Sequence, residues 1–92
     1  MNGHRYRNYL FVLEILEADV FTHDEREILV DAAEGMLLSR LPSGEEVDEI
    51  GIQVTAVLEE LVATDRLRYA TAVELSARIA ECGPAGAALM PA

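Results

Sequence analysis

Between Glu17 and Ile28 the sequence reads EADVFTHDEREI, setting five carboxylates and one histidine within twelve residues. Hard oxygen donors at that density could hold a divalent cation. The EF-hand loop, the best-known arrangement of this kind, needs carboxylate or amide oxygens at alternate positions, a glycine at its sharp turn and a glutamate at the twelfth position. Here Asp19 is followed at alternate positions by Phe21 and His23, and the glycine is missing. A cation bridged by Asp19, His23 and Asp24 is the form in which the metal reading survives. The competing explanation needs no ligand. Thr22 with Glu25 three residues later is a capping box, in which side chain and backbone satisfy each other's hydrogen-bonding groups, and Asp24 and Glu25 complement the helix dipole. Such features contribute about 0.3 to 2 kcal/mol each. The expectation is therefore a helix start, with no metal and no cofactor.

Nucleophilic chemistry has even less to draw on. Cys82 is the single cysteine and lies between Glu81 and Gly83, while the two histidines, His4 and His23, are far away in sequence. A thiol nucleophile needs a base within hydrogen-bond reach. At helical spacing from Leu75 and Ile79, Cys82 reads as a small core residue instead. No phosphate-cradling glycine loop, GxSxG or HExxH occurs. The chain is expected not to be an enzyme.

The elements that would carry these residues are helices. Capping boxes at Thr22 to Glu25, Ser43 to Glu46 and Thr71 to Glu74 each precede an apolar run of helical period, and "CGP" at 82–84 offers Gly83 as a left-handed terminator. The spacing predicts helices from His4 or Arg5 to Asp19, His23 to Arg40, Glu45 to Thr64, and Ala72 to Cys82. "RLRY" at 66–69 reads as a connection, because a lone strand would have no ladder to join. The fold class expected is all-α, a small four-helix bundle, up-and-down or orthogonal. One domain spans 1–83, with a flexible tail over 84–92.

Which faces are buried follows from about 100° of rotation per residue. The third helix is one-sided, with Val47, Ile50, Val54, Val57, Leu58, Leu61 and Val62 opposite Glu45, Asp48, Glu49, Glu59 and Glu60. The first helix reads as having two apolar faces, Tyr6, Tyr9, Leu10, Leu13, Leu16 and Val20 on one side and Phe11, Ile15 and Ala18 on the other. The second face is expected to be covered by another copy of the chain, giving a homodimer. On the second helix Asp24, Glu27, Asp31 and Glu34 form an acidic stripe, a candidate docking surface for a basic protein partner.

Residues 15–36 resemble the helix, acidic turn and helix of TerB-like tellurite-resistance domains, with Val20 where those domains carry a glycine. The resemblance implies a helical fold and no more. "GIQVTAVLEEL", from Gly51 to Leu61, resembles the turn and second helix of helix-turn-helix domains. Glu59 and Glu60 would be repelled by the phosphates such a helix must approach.

Composition sets the class of partner. The 92 residues carry seventeen Asp and Glu against seven Arg and no Lys, a formal charge of −10, which disfavours nucleic acid and anionic membranes. The absence of Lys reads as the mark of a GC-rich genome. With 51% hydrophobic residues and no apolar run of about 18, the chain is expected to be globular, and its lone cysteine fits a reducing cytoplasm. The function expected is a non-enzymatic protein–protein interaction module. Two alternatives are a nucleic-acid mimic that inhibits a DNA- or RNA-binding protein and a weak cation-binding domain.

Overall fold

Four helices carry the described residues, 3–40 and 44–84, of this computed structural model: α1 (Gly3–Ile15), α2 (His23–Leu38), α3 (Glu45–Ala63) and α4 (Tyr69–Glu81). No strand occurs among the described residues, and Leu67 and Arg68 form a connection. Each helix packs on its chain neighbours, α1 closes the ring against α4, and α2 meets α4 across the middle, while α1 and α3 do not touch. Arg5 at the start of α1 reaches the ends of both α2 and α4, and Glu25 at the start of α2 meets Arg66 just past α3. Neighbouring helices therefore run in opposite directions, the up-and-down order.

The core is aliphatic. Val12, Leu16, Leu29, Met36, Val54, Leu58, Leu61, Leu75, Ile79 and Cys82 are almost completely shielded from solvent. α3 follows its sequence pattern closely: Val47, Ile50, Val54, Leu58 and Leu61 are buried, Val57 and Val62 pack at the edge, and the five acids expected outside are exposed.

Capping follows the expectation at α2 and departs from it at α4. Thr22 and Glu25 form the complete box: the Glu25 amide donates to Thr22 Oγ1 at 3.2 Å and the Thr22 amide donates to Glu25 Oε1 at 2.8 Å. α3 is capped by Gly44 at φ 134°, a region that only glycine enters without strain. Ser43 lies outside the described residues. α4 begins at Tyr69, three residues before the expected start, with Arg68 as an N-cap that makes no side-chain bond. Thr71 is thus inside the helix and its box with Glu74 does not form. Gly83 is not left-handed either; a Cβ there would displace the end of the Met36 side chain and stand 3.2 Å from the Ala80 carbonyl oxygen, so the glycine leaves room for Met36. Of the tail, residues 85–92 lie outside the described residues.

The end of α3 is a Schellman motif built without glycine. Asp65 sits at φ 57°, its amide donates to the Val62 carbonyl at 3.1 Å, and the Arg66 amide donates to the Leu61 carbonyl at 2.9 Å. This turn sends the Arg66 side chain back toward the start of α2.

α1 departs most. It stops at Ile15 rather than Asp19, and its buried line is Asn8, Val12 and Leu16, not Tyr6, Leu10 and Val20. Tyr6 and Leu10 are 47% and 46% exposed, and Val20 is exposed as well. Ile15, expected on the far face, packs against the core, and Ala18 lies in the turn beyond the helix. The physical reason is that Arg5 and Asn8 both turn inward, rotating the helix so that Tyr6 and Leu10 move to the flank while Tyr9 stays partly buried against the core.

Candidate functional site

Four of the seven arginines act as internal clamps. Arg5 donates from Nε to the Cys82 carbonyl at 2.8 Å and from Nη2 to the carbonyls of Met36, Leu37 and Ser39 at 2.9, 2.9 and 2.8 Å. The last carbonyls of a helix have no partner within it, and this one guanidinium serves the ends of α2 and α4 together. Arg26 donates from Nε to the Leu16 carbonyl at 2.6 Å, with Nη2 near the carbonyls of Ala18 and Phe21, and this holds the turn that ends α1 early. Arg66 grips Glu25 with both arms, at 2.9 and 2.7 Å, and also donates to the Val20 carbonyl. Arg78 lies 4.8 Å from the centre of the Phe11 ring and donates to Asn8 Oδ1 at 3.4 Å.

The clamp at Glu25 has an electrostatic signature. The Arg66 guanidinium, and after it the Thr22 amide, hold the Glu25 carboxyl down to about 2. Cys82 is driven the other way: burial pushes its thiol up to about 11, and its Sγ donates to the Arg78 carbonyl at 3.4 Å. At neutral pH it is a buried, protonated thiol rather than a thiolate.

With these arginines turned inward, the surface is left strongly acidic. Of the seventeen carboxylates, every one but Glu25 is exposed. Asp24, Glu27, Asp31 and Glu34 lie along one side of α2, all exposed, and among the described residues no arginine pairs with any of them. Two of them meet an imidazole and a hydroxyl instead. His23 Nε2 stands 3.6 Å from Glu27 Oε2, and the Tyr9 hydroxyl donates to Glu34 Oε1 at 3.0 Å. Burial first, and the Glu34 carboxylate second, raise the Tyr9 hydroxyl above its usual 10, so it stays a donor. Tyr6 stacks on Tyr9 with ring centres 6.3 Å apart.

The acidic stripe is thus brought together as its spacing implies, whereas Phe11, Ile15 and Ala18 are not. Ile15 is on the core, Phe11 is half exposed beneath Arg78, and Ala18 is past the end of α1. Among the described residues no three His, Cys, Asp or Glu side chains are placed to hold a metal ion, so Asp19, His23 and Asp24 do not converge. Of the residues whose spacing put them on the core side of α1, Tyr9 does pack against the core, whereas Tyr6 and Leu10 are exposed and border the stripe. The signal that would have corrected this is Arg5, Asn8 and Val12 at i, i+3 and i+7: a polar line that makes sense only if the arginine has carbonyls to bind.

No family model matches the chain, and neither a curated protein nor a solved structure does. The likenesses at 15–36 and 51–61 therefore stay local.

Proposed function

We propose that this protein is a non-enzymatic interaction module that docks a basic protein partner through the outward side of α2. The observation that carries the reading is the exposed row of Asp24, Glu27, Asp31 and Glu34, left without arginine partners among the described residues while four of the seven arginines bind inward. Four carboxylates along one helix, with no arginine paired to them among the described residues, repel one another, and a partner's Arg or Lys side chains relieve that repulsion on contact. Such charges act mainly on encounter rate and specificity, so binding should weaken steeply with added salt. Among the described residues no helix is long and apolar enough to cross a membrane.

A homodimer through α1 loses the continuous apolar patch it was expected to use, and bringing together two chains of charge −10 opposes it further. Light scattering at high micromolar concentration is expected to give the monomer mass. The docking reading is tested by fluorescence anisotropy with a labelled Arg-rich peptide. Glu27→Lys with Asp31→Lys should weaken binding by about tenfold or more at low salt. Equal affinity for parent and variant contradicts the proposal.

A further inference from the structure

We propose that the partner segment is a basic amphipathic helix lying along the seam between α1 and α2. This rests on the docking reading above and names the shape of what docks. Exposed Tyr6 and Leu10 stand one turn apart on α1, and half-buried Leu13 continues their line, a ridge about 10 Å long at 1.5 Å per residue. Glu27, Asp31 and Glu34 span the same length on α2. The two rows run beside each other because the helices are antiparallel neighbours, and the bond from Tyr9 to Glu34 fixes where they meet. They are offset by about one turn, which leaves Leu38, 71% exposed, at the Tyr6 end of the seam.

An apolar row at i, i+4 and i+7 beside a parallel acidic row is the complement of a helix with leucine-like anchors on one face and cations along its edge. An extended strand would need an open sheet edge, and no strand occurs among the described residues. A second copy of this chain does not fit, since exposed Glu14 on α1 and Glu17 just past its end would meet the α2 stripe of the other copy. The charge of the seam therefore selects a basic occupant, and the spacing of its apolar row selects a helical one.

The probe is a synthetic helical peptide of about 18 residues, with leucines at i, i+3 and i+4 spacing and lysines elsewhere, beside a second peptide of the same composition in scrambled order. Each is titrated into ¹⁵N-labelled protein at physiological salt. The patterned peptide should bind about tenfold tighter than the scrambled one. Its amide shifts should centre on Tyr6, Leu10, Leu13, Asp31 and Glu34. Tyr6→Gln with Leu10→Gln should lose that preference while its melting curve stays that of the parent. If both peptides bind equally at the α2 stripe, the helical partner is wrong and the acidic docking face stands. Shifts centred on Glu45, Glu49 and Glu59 of α3 overturn the seam. No binding by either peptide overturns the docking reading as well.

Discussion

α3 and α1 do not touch, and they differ in how each buries its apolar residues. α3 puts nearly all of its aliphatic side chains inside and its acids outside; the large exception is Ile52 at 71% exposure. α1 gives inward positions to Arg5 and Asn8, ends early under Arg26, and leaves Tyr6, Leu10 and Phe11 about half exposed. The difference teaches that hydrophobic period orients a helix only when nothing stronger competes for the inner face. A guanidinium that serves four carbonyls at two helix ends is a stronger claim than the apolar sides of Tyr6 and Leu10, because hydrogen bonds from a charged donor to helix-terminal carbonyls contribute more than the partial burial of those two side chains.

The largest effect expected from breaking this comparison lies in α3. Leu58→Ala should cost about 2 to 5 kcal/mol in urea denaturation, the usual range for truncating a fully buried leucine. A cost below about 1 kcal/mol would mean that the site collapses or that α3 is not the wall of the core.

Next is the clamp that sets α1. Arg5→Met keeps the aliphatic stem and removes the four hydrogen bonds, and should cost about 2 to 3 kcal/mol, less than the sum of its bonds because water reaches some of the freed carbonyls. Arg5→Lys should recover only part of that, since an ammonium cannot span both helix ends. Full recovery by Lys would show that charge alone suffices.

The Glu25 clamp has a smaller effect and a pH signature. Its carboxyl sits at about 2 in the folded protein against an ordinary 4.5, so the folded state favours the carboxylate. The stabilisation is fully present above about 4.5 and is lost as pH falls through that value toward 2. Protonation of the exposed acids acts oppositely by relieving repulsion, which makes the difference from Glu25→Gln the quantity to follow. That difference should be about 1 to 2 kcal/mol at neutral pH, reduced by solvent around Arg66, and should vanish near pH 2. A difference that persists there would assign the stability to packing.

How much was legible in the sequence follows the same division. Four helices, their approximate bounds, the whole of α3 and the acidic row on α2 were readable, because each rests on local spacing or a local cap. The Thr22–Glu25 box is the example: both partners lie within one turn. The α4 start and the inner face of α1 were not: α4 begins without any side-chain cap to mark it, and Arg5 binds a carbonyl 77 positions away. Arginine in place of lysine, read as a trace of genome composition, has a physical use here, since four guanidiniums each serve two or more groups.

The most direct test of the account is equilibrium urea denaturation of Tyr6→Gln with Leu10→Gln beside Val12→Ala. If the flank of α1 lies outside the core and is free for a partner, the double variant should stay within about 0.5 kcal/mol of the parent, while the single truncation at Val12 costs more than 1 kcal/mol. A double variant that loses as much stability as Val12→Ala would place Tyr6 and Leu10 in the core and leave no seam for a helix to occupy.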